Sequence, residues 1–508
     1  MLLDAESFLG EFFFFPYRYS PEQRKDFVTE KIKEIENLLN LLQEHTKAKI
    51  VINDFLIPTY SSRGIIEHKQ EYGLTESIHK INDSLRDICK NNSRLFTFPL
   101  NSFCAHHITN PLAEPKIMYL TDMKISSDGL IGLASEYMSY IYPLASKSKK
   151  CLVLDLDNTL WGGIIGEDGL EGIKLGPDKE GRVFLDFQRS ILELFERGVI
   201  LAINSKNNYE DAMEVIRNHK YMLLREDNFA CIKINWHDKA INMKEISAEL
   251  DIGLDSLIFL DDDKVNRALI RELIPEVTVI DLPDDASLYP SVIKSLKQFN
   301  LFRLTEEDLK RGKMYVDQKK RSLLELETTD LNTFIKQLQI KVMLRTADNS
   351  NLGRITQLTQ KTNQFNLTTK RYKEEEMEEL SKSSDYHIES ITVEDKFGDY
   401  GLTGVAVIKK DFEEKCWHLD TFLLSCRILG KNVEFALMNH LIKKAKMEGM
   451  ERIKGYFIPT KKNRPAENFL RDCGFAISKE EEKIKEYIFD LNNEFKTEIL
   501  VEVQEWKS

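Results

Sequence analysis

Two carboxylates separated by one residue, Asp155 and Asp157, follow the apolar run Leu152-Val153-Leu154 and precede Asn158-Thr159-Leu160-Trp161-Gly162-Gly163. An acid delivered by a buried strand can attack an electrophilic phosphorus, and a neighbouring acid can give and take the proton. Strand geometry places residues i and i+2 on one side, so the pair is expected to share a hard divalent cation through oxygen ligands. Thr159 offers a hydroxyl to a phosphate oxygen, and Gly162, Gly163 and Gly166 allow a sharp turn beside a ligand. Alone, D-x-D-x-T also fits a buried strand running into an Asp-rich turn.

Further polar groups follow apolar runs downstream: Ser205-Lys206, then Lys239, then Asp261-Asp262. Singly, each is an ordinary residue, a turn serine, a solvated lysine or a polar strand exit. Together and in this order they are what phosphoryl transfer needs: a nucleophile, a proton carrier, hydroxyls and a lysine for phosphoryl oxygens, and acids for magnesium.

The elements that must position them read as strand then helix, repeated. Residues 198–203, 255–260 and 277–280 are strand-like, and each stops at polar residues, the pattern of a parallel sheet whose carboxyl edge binds ligands. Before this block, residues 1–148 form an α/β layer: a helix over 30–43, strands over 48–56 and 95–98, and a loop with Asp128 as cap entering a helix near 130. The Phe12 to Phe15 run reads as a strand or core segment. A charged helical connector covers 301–335. Beyond it, 340–344, 386–393, 402–408 and 416–424 read as antiparallel strands, followed by a helix at 433–447, a strand at 452–458 and a helix at 465–473.

A chain of 508 residues is too long for one core. Its net charge of -12 argues against bulk nucleic-acid binding. Seven cysteines without a C-x-x-C pair fit reduced thiols in a cytoplasm and no structural zinc. The apolar run at 12–15 is too short for a membrane span.

With these residues in view, the chain resembles the FkbH-like branch of the haloacid dehalogenase superfamily. The resemblance rests on Asp155-Leu-Asp157-Asn-Thr159-Leu-Trp-Gly-Gly with Gly166-Glu-Asp-Gly169, on Ser205-Lys206-Asn207, on Trp236-His237-Asp238-Lys239, and on 250–262. It implies Asp155 as nucleophile, Asp157 as acid/base, and Thr159, Ser205, Lys206 and Lys239 as phosphate contacts. It also implies a Mg2+ shell of Asp155, Asp157, Asp261 and Asp262. After Asp262 the family's Asn-Pro-x-Glu-Arg run is replaced by Asp263-Lys264-Val265-Asn266-Arg267, which keeps only the arginine.

The resemblance extends to a C-terminal acetyltransferase-like (GNAT-like) α+β domain through 360–368, 395–401 and 425–430. There Asn363, Asp399, Arg427 and Gly430 are expected to meet an acyl or pantetheine group, and Cys426 to accept the acyl group. Cys151 competes as a thiol but reads as packing. The implied architecture is an α/β chain with a degenerate lipase/esterase-like (SGNH-like) domain at 1–148, a Rossmann-like haloacid dehalogenase-type domain at 149–300, the connector, and the GNAT-like domain at 336–508. Ser127-Asp128-Gly129 lacks the histidine a serine hydrolase needs, and His106-His107 reads as a surface pair.

The implied function is dephosphorylation of 1,3-bisphosphoglycerate, a phosphorylated three-carbon acid, with the glyceryl group passed to an acyl carrier protein in polyketide-type biosynthesis. The alternative is a plain phosphatase with partner-binding end domains, for example in surface-polysaccharide biosynthesis; a non-catalytic assembly factor is disfavoured by the full set of acids. Cations at Lys370-Arg371-Lys373, Lys443-Lys444-Lys446 and Lys461-Lys462-Arg464 are solvated faces or a docking surface for an acidic carrier.

Overall fold

Ser20 opens the first long helix, Pro21–His45, with a capping box to Gln23 and a proline in the first turn. Its buried face, Val28, Ile35 and Leu39, packs with Ile78, Ile81 and Leu85 of the helix Leu74–Lys90 over a parallel pair, β1 (Ile50–Asn53) and β2 (Leu95–Phe98). These belong to the first of two units, Met1–Ile141 and Tyr142–Ser508. The structure, a computed structural model, describes residues 2–106, 114–121, 123–481 and 484–506. His107 and the side chain of His106 lie outside what it describes.

Two local expectations change in this unit. The Phe12–Phe15 run holds a helix, Glu11–Phe14, and not a strand; Phe12 is buried against Phe27 at 4.3 Å between ring centroids while Phe14 and Phe15 are exposed. A helical turn can bury one aromatic of a consecutive set. Ser126, and not Asp128, caps the helix Ser127–Leu144, its Oγ accepting from Gly129 N at 3.0 Å.

The second unit begins with the fully buried β3 (Cys151–Leu154). Its alternation serves two cores: Leu152 and Leu154 join Phe187 and Ile191 on one face, while Cys151 and Val153 join Met243, Ile246 and Ile270 on the other. A strand apolar on both faces needs neighbours on both edges, and β3 has them in β4 (Ile200–Ser205) and β6 (Leu257–Asp261). With β5 (Phe229–Ile234) beside β4 and β7 (Thr278–Asp281) beside β6, the order is β5-β4-β3-β6-β7, all parallel. The chain leaves β3 to one side through β4 and returns to the other through β6, so a crevice opens at the carboxyl end of β3.

The connector is the helix Glu306–Glu327, capped by Thr305 and Asp308. Gly198, at φ +92°, lies so close to the Asp308 carbonyl that a Cβ would fall 1.6 Å from its oxygen. Val316 enters the core under β3, and Lys320 pairs with Asp227 at 2.9 Å. The same helix sends Arg321 into the C-terminal block, where its Nε and Nη2 donate to Asp395 at 2.7 and 2.9 Å.

That block is a second sheet. In it β8 (Lys341–Thr346), β10 (Tyr386–Asp395), β11 (Gly398–Asp411) and β12 (Cys416–Leu424) are antiparallel neighbours. β12 then pairs in parallel with β13 (Arg452–Phe457), which is followed across the sheet by β15 (Ile484–Asp490) and β14 (Ala476–Glu481). The two-residue β9 (Phe365–Asn366) joins the far end of β12, and β16 (Glu502–Glu505) adds in parallel to β8. The helix Val433–Met447 buries Leu437, Leu441 and Ile442 against this sheet.

Candidate active site

The last rung of β3 is Asp155 N to Leu260 O at 3.0 Å. Beyond it the chain leaves the sheet in a hydrogen-bonded turn, with Thr159 N and Leu160 N both donating to Leu156 O and Asn158 at φ +52°. Period-two geometry therefore stops at Asp155. The Asp157 carboxylate, expected to share a metal with Asp155, is met by three donors: Oδ1 accepts from Trp161 Nε1 at 2.9 Å and Ile165 N at 3.1 Å, and Oδ2 accepts from Asn207 Nδ2 at 3.0 Å. Gly163, at φ +93°, follows at once, and a Cβ there would stand 2.4 Å from Asp168 Oδ2. The buried Thr159 hydroxyl has no hydrogen-bond partner among the described residues.

The acids that do converge are Asp155, Asp261 and Asp262, each offering an oxygen within 4.8 Å of the others. Lys239 reaches the first two: its Nζ lies 2.8 Å from Asp155 Oδ1 and 2.6 Å from Asp261 Oδ2. Burial opposes the lysine's charge, but Asp155 and Asp261 outweigh it and raise its pKa. Burial, then the Asp155 charge, raises the Asp261 carboxyl; burial, then Asp155 and Asp261, pushes Asp262 up to about 6. One ammonium among three carboxylates leaves uncompensated negative charge in a low-dielectric edge, and the donors are all hard oxygens. This set fits a magnesium-type cation.

Buried polar scaffolding holds these groups. Asp238 caps the helix Lys239–Glu249 by accepting from Ala240 N at 2.7 Å, and buried Asn204, at the end of β4, donates to Lys239 O at 2.9 Å. Arg267 donates from Nη1 to Asp261 O at 2.6 Å and Asp262 O at 2.7 Å, which fixes the acidic turn. That is the arginine retained in the altered run after Asp262. Asn266 Nδ2 stands at the edge of hydrogen-bond reach of Asp261 Oδ1, 3.5 Å away.

Ser205 is buried at the end of β4, and its Oγ accepts from Asn207 Nδ2 at 3.2 Å. Lys206 stands exposed, and the structure does not bring its side chain into the cluster. Asn207 and Asn204 are the residues that sequence reasoning left out of the site. Asn207 is the third residue of the Ser205-Lys206-Asn207 run; Asn204 carries no signal beyond being polar in an apolar strand.

In the C-terminal block, Cys426 is the one exposed thiol of the seven; Cys104 is half-buried and the others are buried. Burial pushes the Cys151 thiol well up, as suits a packing residue. Arg427 follows Cys426 and lies against the connector, Nη1 3.6 Å from Met314 Sδ. Gly430 turns at φ +71°, and Lys431 donates to Tyr400 Oη at 2.7 Å and Arg427 O at 3.1 Å. Asn363 accepts from Arg371 at 3.1 Å, and Asp399 is engaged with Gly401 N at 2.6 Å. Cys426, Arg427 and Gly430 share one loop, while Asn363 sits on another and Asp399 lies at the start of β11.

The acetyltransferase (GNAT) family matches residues 353–475. Among solved structures, the N-terminal part of the protein BF1531 from Bacteroides fragilis, containing a phosphatase domain complexed with Mg, is 30% identical at a TM-score of 0.53; the match covers 59% of this chain and 78% of that one. The ribosomal-protein-S18-alanine N-acetyltransferase from Escherichia coli is 11% identical (TM-score 0.24; 30% of this chain, 94% of that one). The spermidine N-acetyltransferase from Vibrio cholerae, in complex with CoA and spermine, is 16% identical (TM-score 0.24; 30% and 96%). None of the curated proteins matches the chain. Among the described residues no helix is long and apolar enough to cross a membrane.

Proposed function

The chain belongs to the family of the BF1531 phosphatase-domain protein, and from that premise we propose that this enzyme is a Mg2+-dependent phosphatase of the haloacid dehalogenase type coupled to an acyl transferase. The observation that carries the reading is the meeting of Lys239 with Asp155, Asp261 and Asp262 at the carboxyl end of the central strand. Asp155, Asp261 and Asp262 would hold the cation, which supplies charge neutralisation for the transferring phosphoryl group.

Asp155 attacks the phosphorus of a phosphate ester, the P–O bond to the substrate breaks, and Asp157 gives the leaving oxygen its proton. Water then cleaves the aspartyl phosphate, with Asp157 taking up the proton. The hydroxyls of Thr159 and Ser205 and the Lys239 ammonium would meet phosphoryl oxygens. Asp157 suits a positioned proton carrier because three donors fix its carboxylate.

The finer reading is that the substrate is 1,3-bisphosphoglycerate, an acyl phosphate as well as a phosphate ester. The Cys426 thiolate would displace phosphate from the acyl carbon, and the resulting thioester would pass its glyceryl group to the thiol of an acyl carrier protein. Exposure of Cys426, alone among the cysteines, supports this role. The test is the intact mass of a carrier protein after incubation with enzyme, Mg2+ and the bisphosphate. A glyceryl adduct that disappears in Cys426→Ala supports the transfer; free phosphate without an adduct leaves a plain phosphatase.

A further inference from the structure

β12 and β13 pair only from Cys416–Leu419 to Arg452–Gly455 and then part. Where two neighbouring strands separate, their backbone N–H and C=O groups face a gap and need partners. Such a gap is where an extended, amide-bearing guest such as the pantetheine arm of coenzyme A would add as a strand. We propose that coenzyme A is not seated there in this protein, because the chain's own segment 365–367 is the guest.

The segment bonds to both parting strands. Phe365 and Asn366 pair antiparallel with Leu424 and Leu423 of β12. Leu367 N then donates to Phe422 O at 3.1 Å, and Leu367 O accepts from Ile458 N, just past β13, at 2.9 Å. One residue thus bridges the two parting strands. The buried Asn463 locks the segment from beneath, its Nδ2 donating to Asn366 O and Ile458 O, both at 2.9 Å. Phe365 and Leu367 are themselves buried in the core of the domain with Phe422 and Phe469, so displacing them would expose apolar surface as well as break the ladder.

The start of the helix Val433–Met447, where a diphosphate could use free N–H groups, is also altered. Asn432 sits there in the left-handed conformation at φ +67°. Its side-chain amide donates to Glu498 O at 3.0 Å and accepts from Leu500 N at 2.7 Å, so the C-terminal segment is tied across the turn. Glu434, in the first turn, holds a buried carboxylate oxygen without a hydrogen-bond partner among the described residues. The residues present therefore do not fit coenzyme A, and an acyl group has to be presented from outside the sheet, for instance to the exposed Cys426 thiol. The inference stands apart from the phosphatase reading.

Hydrogen exchange on the full chain tests it, read on the Leu367 and Ile458 amides with and without acetyl coenzyme A up to millimolar concentration, beside equilibrium dialysis of the labelled thioester. Slow exchange of both amides, unchanged by the thioester, is expected, together with no saturable binding. Saturable binding that leaves both amides protected would place the thioester elsewhere and keeps the gap self-filled. Fast exchange of Leu367 in the free protein, or acceleration on adding the thioester, overturns the proposal. Asn463→Ala serves as the control: it should speed exchange at Leu367, proving that the amide reports on the seated segment, and an unchanged rate there also counts against the assigned pairing.

Discussion

Asn207 Nδ2 stands 3.0 Å from Asp157 Oδ2 and 3.2 Å from Ser205 Oγ, so one amide holds the carboxylate proposed to carry the proton and the hydroxyl proposed to meet the phosphate in a fixed relation. Loss of that tie frees both groups without removing either. Asn207→Ala is expected to lower kcat by on the order of 10²-fold with a smaller change in KM, the scale of a misplaced reacting group. Steady-state phosphate release measures it; an unaltered kcat would remove Asn207 from the positioning apparatus.

Lys239 is the only cation paired with the buried carboxylates of Asp155 and Asp261 among the described residues. Its removal leaves like charges facing one another, so Lys239→Met should cost about 3–5 kcal/mol of stability in chelator, with part regained in Mg2+. Urea midpoints in the two buffers give the difference. Asp155→Asn is predicted to be as stable as the parent, since it removes one of the repelling charges, yet to release no phosphate. Turnover by that variant would end the nucleophile assignment.

Four strands of the middle sheet could be read in advance because they are apolar runs that stop at polar residues, and that pattern needs no distant partner; β5, which carries Lys233 within it, could not. Asp155, Ser205 and Asp261 end such runs and were legible for the same reason. The surroundings of Asp157 were not, because its donors Trp161, Ile165 and Asn207 come from separate turns whose approach depends on the loop leaving the sheet. The aromatic run at 12–15 suits either period, and tertiary packing on Phe27 decided for the helix. Segment 365–367 is too short to carry any periodicity, and its partners lie far along the chain. Lys444 looked like a free surface cation in sequence, yet it is 3.0 Å from the buried Glu389, a residue on another element.

Glu434 gives a pH-dependent prediction. Burial pushes its carboxyl up to about 7 from an ordinary value of 4.5. Between these values the folded chain binds more protons than the unfolded chain, so this group's contribution falls as pH rises from about 4.5 and is fully unfavourable above about 7. Glu434→Gln should therefore stabilise the protein at pH 8, by on the order of 1–3 kcal/mol, and leave it nearly unchanged at pH 5. Urea unfolding at the two pH values decides, and an equal shift at both would show that the effect is not ionisation.

Arg321 and Asp395 form a buried pair that joins the connector helix to the C-terminal sheet, with Tyr400 Oη adding a 2.8 Å bond to the same carboxylate. Arg321→Met leaves that acid buried beside its remaining donors, at an expected cost of about 3–5 kcal/mol. The loss should be local. Limited proteolysis is predicted to nick the variant within Glu306–Glu327 while the fragments on either side persist, whereas cleavage spread evenly over both sheets would contradict the bridging role.

The last prediction concerns an acidic carrier protein. Of the three cation clusters, the first is partly spent on Asp420 through Lys370, and the second is partly spent on Glu389 through Lys444. Lys461, Lys462 and Arg464 remain exposed around the buried Asn463, which bonds to Asn366, and Asn366 pairs with Leu423, three residues before Cys426. Cations at that strand end would steer an acidic partner toward the thiol and act mainly on the association rate. Transfer to the carrier should therefore slow between low and physiological ionic strength, while hydrolysis of a small phosphate ester changes less. Replacing Lys461, Lys462 and Arg464 together by Glu should reproduce the high-salt rate at low salt, a fall of about tenfold. Equal transfer rates for the triple variant and the parent would remove this face from carrier recognition and leave the phosphatase assignment untouched.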